Sequence, residues 1–250
     1  MQFACCITPI APLRADASHI SEMVSQLIFG ECVEITDSNK EFYKIKSLYD
    51  GYEGWCQKKQ LAIVDDAFVK TNHAVITTEN FTHASLNGWP ILLPMGSFIG
   101  NLTAGNLLVG NNVLIFNKQS VALSAFKNIV YAYLHTPYIW GGKSILGIDC
   151  SGFVQQVFKL YNIHLPRDAY QQVAYGKEVY FLAEAQEGDV AFFDNEEGKI
   201  IHVGILLNNE EIIHASAMVR IDNIDNEGII HKATGERTHK LRTIKRLLNT

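Results

Sequence analysis

The spacing of apolar residues changes twice along this chain, and that change dictates the order in which sheets and helices are laid down. Up to about residue 118 they fall in short runs, "ITPIAPLRA", "MVSQLIFGECVEIT", "EFYKIKS", "YEGWCQ" and "LAIV", broken by the turn-forming clusters "TDSNK" and "YDG". In "EFYKIKS", Tyr43 and Ile45 alternate with Lys44 and Lys46, the period-two pattern of a half-buried strand. From about residue 119, "QSVALSAFKNIVYAYLHT" spaces Val121, Ala125, Ile129 or Val130, and Tyr133 three or four apart, which predicts an amphipathic helix. Beyond Pro137 and a "GGKS" loop, Phe153, Val154, Val157, Phe158 and Tyr161 give a second helical stripe, stopped at Pro166 in "NIHLPRD". Strands return in "GDVAFFD", "IIHVGILL", "EEIIHAS", "MVRIDNI" and "KLRTIKRLL". The fold class expected is α+β. Residues 1–65 form a small β-barrel, and residues 66–118 a second, looser one from "HAVITTEN", "WPILLPMGSFIGNL" and "VLIFNK". Residues 119–250 form a domain of helices packed on an antiparallel sheet.

Composition narrows the function classes. A chain of 250 residues with 48% hydrophobic content can bury a core in each of two or three units. The net charge of −5, without blocks of like charge, offers no footprint for nucleic acid or an anionic membrane. No run approaches the roughly 20 apolar residues of a membrane span. The start, "MQFACCITPIAPLRADASH", is interrupted by Pro9, Pro12 and Arg14 and does not read as a signal peptide, so a cytoplasmic location is expected. The cysteines, Cys5, Cys6, Cys32, Cys56 and Cys150, are five, an odd set without C-x-x-C spacing or neighbouring histidines. Neither a disulfide framework nor a zinc site is implied, and no cofactor. The first four read as buried structural thiols.

Cys150 differs because it falls at the first turn of the second helix. There the macrodipole and unsatisfied N–H groups favour a thiolate, which can lower a thiol pKa from about 8.5 into the range of roughly 3.5 to 7.5. Asp149 is a candidate N-cap, and Gly152 marks a close approach of another backbone or a substrate. His202 and His214 lie on strands joined by the short polar turn "NNEE", which makes them antiparallel neighbours with both side chains on one face. A nucleophile, a base and a group that orients the base through its other ring nitrogen is the general arrangement for activating a thiol. Cys150, His202 and His214 fit those roles in chain order, and a neutral imidazole can orient because it offers an acceptor as well as a donor. A metal at these residues would lack a short-range ligand pair.

"DCSGFV", followed some fifty residues on by "GDVAFF", "HVGI" and "HAS", resembles the NlpC-type bacterial cell-wall cysteine peptidases, relatives of papain, over roughly residues 119–250. "FGECVEI", "FYKIK" and "GYEGW" resemble a bacterial SH3-like domain; the second β module is a degenerate one. The resemblance implies that Cys150 attacks an amide carbonyl, with His202 as base and His214 as its orienter. The Cys150 N–H and the hydroxyl of Tyr138, in "PYIWGG", would form the oxyanion hole. It resembles the subgroup of γ-D-glutamyl-L-diamino acid endopeptidases with SH3-like domains in front. That implies cleavage of L-Ala-γ-D-Glu-diaminopimelate and similar small murein-derived peptides with a free N-terminal L-alanine, in peptidoglycan peptide recycling. Asp149, Ser151 and Asp168 are then the substrate-binding residues. Carboxylates for the free ammonium could also come from the first SH3-like domain, with Glu22, Glu31 and Tyr52 as candidates. Ala169 stands where related sequences carry a small hydroxyl residue, so one substrate hydrogen bond would be missing. The other readings are an amidase or acyltransferase using the same site, and a non-catalytic wall-peptide binder, against which the intact Cys150, His202 and His214 set argues.

Overall fold

A computed structural model of the chain describes residues 1–72, 76–100, 105–116 and 125–248. The expected boundary between residues 118 and 119, Val121 at the start of the expected first helix, and part of "HAVITTEN" lie outside them. The chain forms two compact units, Met1–Leu123 with Lys143–Ile145, and Ser124–Gly142 with Leu146–Thr250.

In the first unit, β1 (Gln2–Cys6), β2 (Ile10–Arg14), β3 (Met23–Ile28), β4 (Cys32–Ser38), β5 (Phe42–Ser47), β6 (Glu53–Gln57) and β7 (Leu61–Val64) make an antiparallel sheet of order β3-β2-β6-β5-β4-β1-β7. Every strand sends a residue to one buried cluster: Ala4, Cys6, Ala11, Leu13, Leu27, Val33, Ile45, Cys56 and Leu61. A flat sheet cannot bring both edges to one core, so this one is curled about it. Cys5, between Ala4 and Cys6, points to the other face, as strand alternation requires. There it joins a second cluster with Phe29, Cys32 and Ala62.

That second cluster also holds Ala84, Leu93, Leu107, Leu114 and Phe116 from the next segment. After α1 (Asp66–Thr71), whose first turn is capped by the Asp65 carboxylate, come β8 (Phe81–Leu86), β9 (Trp89–Pro94), β10 (Asn106–Val109) and β11 (Asn112–Phe116). They form an antiparallel sheet of order β10-β11-β8-β9, whose core is shared with the outer face of the first sheet. All of Cys5, Cys6, Cys32, Cys56 and Cys150 are free and buried. The segment β12 (Lys143–Ser144) belongs to this unit, with the buried Lys143 ammonium 3.4 Å from Glu31 and 3.7 Å from Asp50.

The second unit holds α2 (Phe126–Ala132), β13 (Gly147–Ile148), α3 (Cys150–Leu160), α4 (Ala169–Gln172), β14 (Lys177–Val179) and β15 (Val190–Asp194). There follow β16 (Ile200–Leu206), β17 (Glu211–Ser216), β18 (Met218–Asp225), β19 (Gly228–Ile230) and β20 (Arg237–Arg246). The sheet runs β14-β20-β15-β16-β17-β18-β19, and β19 pairs with β20 as well, closing β15 to β20 into a ring. Its interior is filled by Ala191, Phe193, Leu206, Ile212, Ile224, Ile229 and Ile244, one or two from each strand. The second helical stripe is α3, which packs on β16 and β17 and buries every residue. The first is shorter than its periodicity predicts among the described residues. It ends at Ala132, His135 turns the chain with φ +66°, and Tyr133 packs edge-on to Phe153 at 5.5 Å. Among the described residues no helix is long and apolar enough to cross a membrane.

Candidate active site

Asp149 starts the site by ending a strand and capping a helix. Its Oδ1 accepts from the Gly152 N–H at 2.7 Å, satisfying one of the orphan donors of α3. Gly152 is needed because a Cβ there would run into the Gly142 carbonyl, so the close approach expected at this glycine is made by the preceding loop. The rest of the Asp149 carboxylate is held by Arg167, with Nη2 at 2.6 Å from Oδ2 and Nη1 at 3.0 Å from Oδ1, and by the Gly141 N–H at 2.9 Å. Ser151 is part of the same network: its hydroxyl accepts from Arg167 Nη1 at 2.8 Å and donates to Asp149 Oδ1 at 3.3 Å. Arg167, only 1% exposed, was not singled out from the sequence, where "LPRD" draws attention to its proline and aspartate. The Asp149 and Ser151 side chains thus both have a task inside the fold. Asp168, half-buried, is the N-cap of the four-residue α4, with Ala169 buried after it.

Cys150 is buried at the first position of α3. Its sulfur accepts from the backbone N–H groups of Ser151 and Val203, the latter setting it against the strand that carries His202. The sequence leads one to expect a thiol pKa lowered by the helix end; here it is pushed up to about 12. Burial is the largest cause and the adjacent Asp149 carboxylate the next, and together they outweigh the two N–H donors and Arg167. The thiol is therefore protonated at rest.

His202 and His214 do share one face. Gly204 pairs with His214 in the β16–β17 register, so His202 lies diagonally across, and its Nε2 is 2.8 Å from His214 Nδ1. Gly204 leaves the room: a Cβ there would sit 2.8 Å from the His214 Cβ. By strand parity the two histidines occupy the face that carries Leu206 and Ile212, the interior face of the ring. Burial, then His214 and His239, hold the His202 pKa well below the usual imidazole value. Burial also lowers that of His214, against the opposing pull of Asp222.

Two further partners were not read from the sequence. Asp222, on β18, has its Oδ2 3.0 Å from His214 Nε2. His239, on β20, stacks on His202 with ring centroids 4.1 Å apart and 25° between planes. Tyr138, half-buried, forms a bridge to Ile148 just before Asp149. Burial and the neighbouring Cys150 and Asp149 push its phenol pKa up, so it keeps the proton an oxyanion donor needs. The remaining candidates are in the first unit. Glu22 is exposed ahead of β3, and Tyr52 packs partly on the first core. Glu31 is fully buried, with its Oε2 3.4 Å from the Lys143 ammonium. Among the described residues, no group of three or more His, Cys, Asp or Glu could hold a metal ion.

Residues 135–238 match the model of the NlpC/P60 family, and residues 13–61 match the bacterial dipeptidyl-peptidase SH3 domain. The γ-D-glutamyl-L-lysine dipeptidyl-peptidase of Bacillus subtilis is 32% identical over 76% of this chain and 71% of its own length. The dipeptidyl-peptidase 6 of Lysinibacillus sphaericus is 26% identical over 90% of this chain and 93% of its own. The crystal structure of an NlpC/P60 family protein from Bacillus cereus superposes with a TM-score of 0.82 at 20% identity, covering 99% of this chain and all of that one, which shows a shared fold. On the matched domains and the full-length relatives together, the chain belongs to the NlpC/P60 family and is a hydrolase acting on peptide bonds, with a bacterial SH3 domain ahead of the peptidase domain.

Proposed function

We propose that the protein is a cysteine endopeptidase that cuts the γ-D-glutamyl-diamino acid bond of small peptidoglycan-derived peptides bearing a free N-terminal L-alanine, in the recycling of such peptides. The observation that carries this reading is the pairing of His202 with His214 at 2.8 Å on the strand against which the Cys150 sulfur rests. The relatives named as γ-D-glutamyl-L-lysine dipeptidyl-peptidase and dipeptidyl-peptidase 6 supply the bond class.

In this mechanism the S–H bond of Cys150 breaks as sulfur attacks the amide carbonyl carbon, and the proton passes to His202. The carbonyl oxygen becomes an oxyanion held by the Cys150 N–H, which has no intrahelical acceptor, and by the Tyr138 hydroxyl. His202 returns the proton to the leaving amine as the C–N bond breaks, leaving a thioester. Water, losing a proton to His202, then attacks the thioester carbonyl; the C–S bond breaks to release the acid, and His202 returns the proton to the Cys150 sulfur. Asp149, Ser151 and Asp168 are the proposed substrate contacts at the helix start.

The test compares L-Ala-γ-D-Glu-diaminopimelate with its N-acetylated form, using wild type and Cys150→Ala under reducing conditions, with products weighed by mass spectrometry. Cleavage of the free peptide alone, lost in the variant, is expected. An intact free peptide with wild type would exclude this bond, and cleavage of the acetylated form would exclude the N-terminal requirement.

A further inference from the structure

We propose that Asp222 is a positioning residue for the thiol chemistry: through His214 it fixes the tautomers of both histidines so that the bare nitrogen of His202 is Nδ1. The inference rests on the reading of Cys150 as nucleophile and His202 as its base, and it adds a fourth member to the chain of groups.

Asp222, 2% exposed, has its Oδ2 3.0 Å from His214 Nε2 and 2.8 Å from Arg220 Nε, and its Oδ1 accepts from the Lys232 N–H at 2.9 Å. Three donors on a buried carboxylate keep it ionised and acceptor-only, and its pKa is accordingly lowered. An acceptor-only partner requires the hydrogen of His214 to be on Nε2. A neutral His214 then has a bare Nδ1, and His202 Nε2, 2.8 Å away, must carry the hydrogen between them. A neutral His202 is left with Nδ1 bare, the form that can take a proton.

When the Cys150 proton arrives at Nδ1, one S–H bond is exchanged for one N–H bond. The imidazolium formed still donates its Nε2–H to His214, whose dipole is held in the stabilising sense by Asp222. The groups facing this pair come from several elements. They are His239 on β20, Arg220 and Asp222 on β18, and more distantly His231. Of these Asp222 is the one anion that touches a ring nitrogen of the pair. The His239 stack shields the other side of His202 without a hydrogen bond to it.

The test uses the whole protein with 15N-labelled histidine. In wild type at pH 7.5, long-range 15N–1H spectra are expected to show both His202 and His214 as Nε2–H tautomers. Assignment comes from His202→Gln and His214→Gln. In Asp222→Asn and Asp222→Ala that pattern should be lost for His214. Peptide hydrolysis should fall about 10²- to 10⁴-fold, the span general base catalysis commands, with KM changing less than kcat. Alkylation of Cys150 by iodoacetamide, which needs no peptide, should slow by about tenfold or more, and Asp222→Glu should recover part of the loss. A proton on Nδ1 of His202 in wild type overturns the proposal. So does a folded Asp222→Asn whose hydrolysis and alkylation stay within about threefold of wild type. If the variants do not fold, the wild-type spectrum decides. If wild type hydrolyses no such peptide, the functional reading fails while the spectrum and the alkylation rate still judge this one.

Discussion

Replacing Arg167 by methionine removes the cation from the carboxylate that starts α3, at similar volume and with no new polar group. Arg167 and Asp149 are a bidentate pair with contacts of 2.6 and 3.0 Å, and both are buried. Breaking a buried pair by deleting one partner costs about 3–5 kcal/mol. Asp149 would keep the Gly152 and Gly141 N–H groups and the Ser151 hydroxyl, which places Arg167→Met at the lower end, about 3 kcal/mol. Asp149→Ala should cost more, about 4–6 kcal/mol. It leaves a buried guanidinium without its carboxylate, beside the Ser151 hydroxyl and the Gly142 carbonyl, and it also loses a helix cap worth about 1 kcal/mol. The double variant should therefore be no less stable than Asp149→Ala alone. Urea unfolding at pH 7, followed by circular dichroism, measures all four proteins. In thermal unfolding Arg167→Met should melt about 6–12 °C lower, at about 2–4 °C per kcal/mol. The reasoning fails if Arg167→Met lies within about 0.5 kcal/mol of wild type, the usual effect of a surface change, or if the two single losses simply add.

The histidine cluster sets a pH dependence. The folded pKa values of His202 and His214 are depressed, and that of His239 lies at about 4, so below about pH 6.5 the unfolded chain takes up protons that the folded one refuses. Stability is thus full above that pH and should fall on acidification, by up to about 1.4 kcal/mol per pH unit for each histidine. Equal urea midpoints at pH 7.5 and 5.5 would contradict it. With the Cys150 proton passed to a neutral His202 as the sulfur reacts, the alkylation rate of Cys150 should stay level from about pH 6.5 to 9, between the depressed imidazole and the raised thiol. A rate that climbs about tenfold per pH unit over that range would show that free thiolate reacts without the help of His202. Gly204→Ala places a Cβ 2.8 Å from the His214 Cβ and from the Ile212 Cδ1 on β17, so it should cost about 1–3 kcal/mol by overpacking and displace His214. A stable Gly204→Ala with unaltered turnover would show that β17 can yield.

What the sequence makes legible is what depends on nearest neighbours along the chain. The stripe Phe153, Val154, Val157 and Phe158 falls in α3, although the whole helix and not that face alone is buried, and Asp149 caps it as its residue type suggests. The even numbering of His202 and His214 and the short turn between their strands put the rings together. Arg167 and Asp222 escape because their partners are set by tertiary register. Asp222 lies two residues along β18 from Arg220, the residue that pairs with His214, and nothing in "MVRIDNI" reveals that pairing. A usable hint exists: Asp222 has the strand parity of the core residue Ile224, and an acid on an interior face demands a partner. Arg167 sits 16 to 25 residues along the chain from Ser151, Asp149 and Gly142, the partners it holds at the start of α3. The lowered thiol pKa expected at a helix start fails for a related reason. The helix end acts locally, whereas burial and the Asp149 charge are imposed by the packing around it.

The two displaced pKa values belong to one design. A raised thiol and depressed imidazoles make the resting pair neutral on both sides, so no ion pair has to be buried before substrate arrives. Charge separation is then deferred to the moment when the carbonyl oxygen takes up negative charge and can be met by the Cys150 N–H and Tyr138. A neutral resting site makes the orientation of the rings matter more than their basicity, because a proton can move only to a nitrogen that is already bare. Asp222 at the end of the chain and Gly204 beneath His214 serve that orientation, and neither contacts the sulfur. Substitutions at these two positions should accordingly leave Cys150 intact as a residue while removing its chemistry, which a loss confined to peptide binding could not mimic in the alkylation rate.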